Sequence, residues 1–443
     1  MPGGLRTDLY ELNMAASYLR RGMNGEATFS LYVRDLPKGR GFLVSAGLED
    51  CLDALEAFSF EEEDLVYLSR IGFDRRAIHD FAEVRFTGEV WAVPEGRVVH
   101  AKEPILEVTA PIAEAQLVET ILLNRVTLHT TIASKAARYV VAAEGHGLVD
   151  FAFRRTHGVE AARAVARSSA IVGFAATSNV EAARELGIRT AGTMAHSFIT
   201  AFDDEKEAFR AFAEDHPHRT TLLVDTYDTM HGVANAIEVI KELDPQGEIG
   251  IRLDSGDLDR LSREARRTLD HAGLRNAKIF ASGGLDEHEV AELVRAGAPV
   301  DAFGIGTQLG VSADAPYIDT VYKLVEFDGR PVLKLSPAKA TAPGRKQVWR
   351  GPSEDVIALR DEVAPGPNHE PLLEPVLRVG RRLASPPSIE EMRARFARDF
   401  AALPAKAARL SHPEHVVAHR SEALAELTSS TAEAARRRVR ASD

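Results

Sequence analysis

Two short segments of the chain gather side chains that could do chemistry. In RLDSGDL, Arg252, Asp254 and Asp257 surround Ser255 and Gly256. A forked guanidinium matches carboxylate or phosphate oxygens, and paired carboxylates can hold Mg2+ or its waters, bind sugar hydroxyls, or cap a helix. A cap accounts for one aspartate, but not for both and a neighbouring arginine. In AGTMAHSF, His196 follows Thr193 among small apolar residues, as it would at the end of a buried strand. Taken alone, such a histidine reads as a hydrogen-bonded core imidazole before it reads as a catalytic one, so its role depends on its neighbours.

Those neighbours include two glycine-rich segments, IFASGGLD with Gly283 and Gly284, and DAFGIGT with Gly306 and Thr307. Glycine lets backbone N–H groups approach an anion, and a following helix N-terminus adds its positive pole. In (β/α) barrels the loops after the last two strands commonly form such a phosphate site. GIGTQLG lacks the GxGxxG spacing of a dinucleotide fingerprint, and no Walker A motif is present. DFAFRRTHG offers Arg154 and Arg155, which on an extended strand point to opposite sides, so at most one faces a given ligand. Their alternative is a surface ion pair. LLVDTYDTMHG adds Asp225 and Asp228; it has a superficial likeness to the acidic ribose-phosphate loop of ordinary phosphoribosyltransferases, a fold with which the surrounding pattern disagrees.

That pattern is an alternation, from residue 147, of short apolar runs and charged amphipathic stretches. The runs are GLVDFAF, IVGFAAT, RTAGTMA, TTLLVDT, IGIRLDS, AKIFASG and DAFGIGT; GVEAARAVARSSA, NVEAARELG and LDRLSREARRTLDHAG between them read as surface helices. Near-continuous apolar strands alternating with helices mean a parallel sheet, and this many units in series favour an open or irregular TIM-like barrel. Every run ends in polar or backbone-exposing residues, those named above together with Thr177 and Ser178 after GFAA, which places them on the carboxyl-end face where such enzymes carry their chemistry.

Before this region, residues 7 to 22 pattern as a helix with Thr7 as N-cap, ATFSLYVRDLP as a strand, residues 84 to 110 as an alternating β unit, and Ala113 to about Ala143 as helix. After it, YKLVEFDGRPVLKLS reads as a hairpin turning at Asp328-Gly329, and the tail from 351 ends in helix. The expected plan is an N-terminal, β-rich α/β domain (1–143), a barrel (144–319) and a C-terminal segment (320–443) whose hairpin packs back on the N-terminal domain. A chain of 443 residues that is 45% hydrophobic can bury more than one core.

A net charge of -12 argues against a general attraction to nucleic acid or anionic membranes, so an anionic ligand has to be held by placed residues. Cys51, the single cysteine, excludes an internal disulfide framework and fits a reducing compartment. The N-terminal stretch lacks the order of a signal peptide and no run approaches the roughly 20 apolar residues of a membrane span, so the expected location is cytoplasmic.

TDLYELNM, DFAFRRTHG, ATSNV, GTMAHSF, LLVDTYDT, IRLDSGDL, SGGLD, FGIGT and KLSPAKATAPGRKQVWR run in order from residue 7 to residue 350. In these motifs and their order the chain resembles the nicotinate phosphoribosyltransferase family, the type II phosphoribosyltransferases. The resemblance implies an N-terminal α/β domain beside an irregular barrel and a homodimer with active sites at the subunit boundary. It also implies a reaction joining nicotinate to 5-phosphoribosyl 1-diphosphate, giving nicotinate mononucleotide and diphosphate in NAD salvage. ATP hydrolysis is coupled to that reaction through a phosphorylated histidine, which here would be His196; a neutral imidazole nitrogen is a competent nucleophile toward phosphorus.

By the same resemblance Arg252 would meet the nicotinate carboxylate, with Thr193 offering a hydroxyl and Tyr10 stacking on the ring; Arg154 or Arg155 would serve the carboxylate or the diphosphate. Asp254 and Asp257 are candidates for the ribose or its hydrated Mg2+, and Ser255, Gly256, Gly283, Gly284, Gly306 and Thr307 for the phosphoribosyl group. Ala152, Phe174, Ala176 and Ala338 depart from smaller, family-typical residues, which bears on affinity and ATP coupling more than on reaction class. The competing activities are nicotinamide and quinolinate phosphoribosyl transfer, the first needing a carboxamide acceptor and the second a larger basic cluster. A phospho-sugar aldolase or isomerase would want a strand-end lysine or glutamate base, and the barrel runs lack the lysine. A non-catalytic nucleotide-binding barrel would have no need of His196 and the DSGD aspartates.

Overall fold

The computed structural model describes residues 3–335, 341–352 and 354–442, and the chain forms two compact units, Met1–Thr131 with Tyr317–Asp443, and Ile132–Pro316. The division falls inside the long helix Glu119–Ala143 and ahead of the strand Thr320–Phe327, against sequence-based boundaries at 143/144 and 319/320. Among the described residues no helix is long and apolar enough to cross a membrane.

The first unit is built on a seven-stranded antiparallel sheet in the order Arg330–Pro331, Thr320–Phe327, Glu26–Val33, Pro104–Pro111, Glu89–Ala92, Glu374–Arg378, Arg381–Arg382. The hairpin turns at Asp328 (φ 52°) and Gly329 (φ 70°), with Phe327 opposite Arg330, a two-residue turn in which both central residues are left-handed. Phe29 stacks on Tyr322 across the strand pair at 4.7 Å. The alternation read in residues 84 to 110 becomes an inside and an outside over Val84 to Ala92 but not in the later strand, where Pro104 to Ala110 are all buried. The polar members find partners indoors, Thr28 with Thr109 (2.9 Å) and Glu107 with Ser30, Lys346 and Arg360.

The N-terminal helix is Leu9–Arg20, capped by Asp8 rather than Thr7, whose hydroxyl instead bonds the Glu11 carboxylate. The helical run from Ala113 divides into Ile112–Leu117 and Glu119–Ala143.

The second unit is a six-stranded parallel half-barrel. Its strands are β1 (Gly147–Asp150), β2 (Ala176–Thr177), β3 (Arg219–Leu223), β4 (Glu248–Leu253), β5 (Lys278–Ala281) and β6 (Ala302–Ile305), in the order β2-β1-β6-β5-β4-β3. Near-continuous apolar runs such as IGIRL and TTLLV become these strands because helices follow them and cover their faces. Of the seven runs, RTAGTMA is the exception. Only Thr190 bridges to Thr177, and residues 191–195 form a loop, since a glycine and small residues give a strand little to pack. GVEAARAVARSSA also differs from expectation: Val159–Val172 is buried from Ala164 through Val172 and is an inner helix, alanine and serine being small enough for close approach.

Candidate active site

The carboxyl ends of β1 and β4 and the loop before His196 enclose a cavity of about 470 Å3. Its walls are Phe151, Phe153 and Arg154 after β1, Ser178 after β2, the stretch Gly192 to His196, and Arg252 and Asp254 on and after β4. His196 is not on a strand; it opens the short helix His196–Thr200, and its Nδ1 lies 3.1 Å from the Thr226 hydroxyl beyond β3. Its Nε2 is 3.9 Å from Asp254 Oδ2.

Arg252 leaves β4 beneath this loop, and its Nη1 donates to the Thr193 hydroxyl at 2.6 Å. Burial draws the guanidinium pKa down, Asp254 and Asp225 oppose the shift, and nearby Arg154 adds to it. Arg252 is therefore a desolvated cation beside a second cation, a setting that favours an anion in the cavity. Its Nε–H is buried without a partner in the structure, as is Oδ1 of Asp225. Unmet polar atoms of this kind are rare in a finished core and concentrate where a ligand or water completes the set.

Asp225 ties the floor together: its Oδ2 accepts from the Asp254 amide (2.9 Å) and the Ser255 hydroxyl (2.6 Å). Asp254 Oδ1 in turn accepts from Ser282 Oγ at 2.5 Å. The next residue, Gly283, has φ 108°, and a Cβ there would lie 1.8 Å from the Asp254 carbonyl oxygen, so only glycine allows the β5 loop to pass this close. Gly284 (φ 81°) faces open space, and Gly306 and Thr307 occupy the matching position after β6, as the cap and first residue of Thr307–Gly310.

Several expectations meet a different geometry. Arg154 and Arg155 sit in a one-turn 3-10 helix, Phe153–Arg155, rather than on an extended strand; Arg154 lines the cavity and Arg155 does not. The turn is set by Asp150, almost fully buried, whose carboxylate accepts from the Ala152 amide (2.8 Å) and the Thr177 hydroxyl (2.7 Å). Burial pushes that carboxyl's pKa up, and the two donors pull it back. Asp257 caps the helix Leu258–His271 through the Arg260 amide (3.1 Å) and, with Gly256, lines a separate concavity with Leu285 and Glu289.

Tyr10 belongs to the first unit, half exposed, with burial, Glu119 and Glu11 raising its pKa. Ala152 adopts ordinary right-handed backbone, and Phe174 is buried edge-on against Tyr139 at 6.4 Å. Ala176 is a buried residue of β2, while Ala338 and the neighbouring Lys339 lie outside the described residues. Asp225, Thr226, Ser282 and Asp150 are members of the site that motif reading did not single out for roles. For Asp225 the signal was its place after the apolar Leu222, Leu223 and Val224 at a strand end; for Asp150 and Ser282 the sequence carries none.

A parallel half-barrel that gathers a desolvated arginine, a histidine and an aspartate around one cavity, with glycine-rich loops after its last two strands, has the build of an α/β enzyme for small anionic substrates. Three family models match in succession: the nicotinate phosphoribosyltransferase N-terminal domain over residues 5–127, the nicotinate phosphoribosyltransferase family over 146–360, and the nicotinate phosphoribosyltransferase C-terminal domain over 358–428. The chain is 50% identical over 388 residues to nicotinate phosphoribosyltransferase pncB2 of Mycobacterium tuberculosis, covering 86% of this chain and 83% of that one. It is 44% identical over 375 residues to the Bacillus subtilis nicotinate phosphoribosyltransferase, covering 81% and 76%. Its fold matches the crystal structure of human nicotinic acid phosphoribosyltransferase with a TM-score of 0.86 at 28% identity, over 96% of this chain and 99% of that one. The chain belongs to the nicotinate phosphoribosyltransferase family. Its last segment, which the sequence motifs do not reach, is included in that membership through the C-terminal domain model.

Proposed function

We propose that this chain joins nicotinate to 5-phosphoribosyl 1-diphosphate, releasing diphosphate and forming nicotinate mononucleotide, in the salvage of nicotinate into NAD. The observation that carries the reading is Arg252, desolvated and bonded to Thr193 in the cavity that also holds His196 and Asp254. Arg252 and Thr193 hold the nicotinate carboxylate, which turns the ring nitrogen toward the ribose C1. The C1–O bond to diphosphate breaks as the C1–N bond forms, through a ribosyl cation-like transition state that needs charge stabilisation rather than a strong base. Asp254, steadied by Ser282, faces the ribose hydroxyls, with Arg154 toward the diphosphate and Gly283, Gly284, Gly306 and Thr307 toward the 5-phosphate. Tyr10 as a ring-stacking residue is supported only by its half exposure and by the family resemblance.

ATP coupling proceeds through His196: an imidazole nitrogen takes the γ-phosphoryl group, ADP leaves, and water later releases phosphate. The partnered Nδ1 and the approach of Asp254 to Nε2 suit an oriented ring. Among the described residues no cluster of three or more His, Cys, Asp or Glu is placed to cage a metal. Mg2+ would be carried mainly by diphosphate and water, with Asp254 or Asp257 as the protein carboxylate beside it, and when bound it would supply charge neutralisation on the leaving group. We extend the reading to a cytoplasmic homodimer with shared active sites.

The test offers the purified protein nicotinate, nicotinamide or quinolinate with 5-phosphoribosyl 1-diphosphate and Mg2+, with and without ATP, and identifies the mononucleotide by chromatography. Product from nicotinate, increased by ATP, is the expected result. Product from another base alone would overturn the assignment of Arg252.

A further inference from the structure

The helix Glu119–Ala143 carries Lys135, Arg138 and Tyr139 on one face, spaced i, i+3, i+4, and all three are buried. They reach the loop after β5: Tyr139 donates its hydroxyl to the Leu285 carbonyl at 3.0 Å, Lys135 Nζ meets Glu287 at 2.5 Å, and Arg138 Nε meets the other Glu287 oxygen at 2.6 Å. The same Lys135 Nζ lies 3.0 Å from Asp314, in the segment that follows β6 and the turn Thr307–Gly310. Burial alone would raise the Glu287 pKa, but Lys135 and Arg138 outweigh it and hold the carboxyl below its ordinary value.

Buried ion pairs are poor sources of net stability, because desolvation consumes most of their attraction. They are geometrically demanding instead, and this one joins the start of the helix Glu287–Arg295, just after the Gly283-Gly284 loop, to the segment just after the Gly306-Thr307 turn. We propose that Lys135, with Arg138 and Tyr139, is a positioning device that fixes the spacing between the two glycine-rich loops and so sets the affinity for the phosphate of the phosphoribosyl substrate. The proposal rests on those loops receiving a phosphate, as in the reading above. None of the three residues lines the nicotinate cavity, so the nicotinate side of the reaction is not theirs to control.

The test uses two mild variants, Tyr139→Phe and Asp314→Asn, because stripping the buried Lys135 from two carboxylates threatens folding itself. Calorimetry gives the Kd of ribose 5-phosphate with the intact chain, and steady-state assays give the KM of each substrate. Each variant should weaken ribose 5-phosphate binding and raise KM for 5-phosphoribosyl 1-diphosphate by about three- to tenfold, the scale of one net hydrogen bond, with KM for nicotinate held within about twofold. Asp314→Glu, which keeps the charge, should recover part of the loss. Unchanged ribose 5-phosphate binding in folded variants, equal rises in both KM values, or no binding by the parent chain would each overturn the proposal. If the parent binds ribose 5-phosphate and the variants bind it more weakly, yet no nicotinate mononucleotide forms, the clamp stands and the assigned reaction falls.

Discussion

His196 Nε2 stands 3.9 Å from Asp254 Oδ2, while its Nδ1 lies 3.1 Å from the Thr226 hydroxyl. The first distance is too long for a direct hydrogen bond, so the ring is oriented from the Thr226 side and Nε2 is left beside a carboxylate without being bound to it. That suits the ATP coupling proposed above, in which the imidazole accepts a phosphoryl from one substrate at the edge of the site used by another. Incubation with labelled ATP and Mg2+ should give an acid-labile, base-stable phosphoprotein, and His196→Ala should remove both the label and the ATP enhancement. The transferase reaction without ATP should persist within about tenfold. No label on the parent protein would sink the phosphohistidine.

Arg252 is the desolvated cation of the cavity and Thr193 its fixed partner. Arg252→Gln keeps a donor but loses the charge and the fork, so KM for nicotinate should rise by about 10- to 100-fold, the worth of a charge-assisted hydrogen bond. KM for 5-phosphoribosyl 1-diphosphate should move far less. Equal effects on both substrates would show that the arginine does not meet the nicotinate carboxylate.

Adjacent glycines with similar backbone should respond differently to alanine. At Gly283 a Cβ meets the Asp254 carbonyl oxygen at 1.8 Å, whereas at Gly284 it meets nothing within 4 Å. Gly283→Ala should cost about 2–4 kcal/mol and displace Asp254, while Gly284→Ala should cost about 1 kcal/mol, the strain of left-handed backbone alone. Urea midpoints and substrate KM values compare the two. Equal penalties would mean that the loop has room to withdraw from Asp254.

Glu11 is fully buried, and although the Thr120 and Thr7 hydroxyls oppose it, burial pushes its pKa up from 4.5 to about 7. The folded chain then holds this proton more tightly than the unfolded chain, so the contribution of Glu11 is fully present below pH 4.5 and is lost as the pH rises to about 7. Glu11→Gln should match the parent near pH 4 and exceed it at pH 8, by on the order of 1–3 kcal/mol. Thermal melts across that range measure it, and a pH-independent difference would remove Glu11 as the cause.

Much of the half-barrel was legible before any coordinates because parallel strands covered by helices must be apolar along their whole length. IGIRL and TTLLV announce themselves that way, and the polar residues that end such runs fall on the chemical face by necessity. Arg252 and Asp254 can thus be picked out together, whereas His196 stands at the end of a run that becomes a loop. What the linear pattern could not decide is what each side chain meets. RTAGTMA has the composition of a short strand and becomes a loop; Asp257 and Asp254 look equivalent, yet one caps a helix and the other faces His196. Lys135 and Glu287 are 152 residues apart, and nothing in either neighbourhood marks them as partners. Periodicity is a local record of burial, one residue at a time, whereas an ion pair or a hydrogen bond between distant segments exists only once packing has brought those segments together.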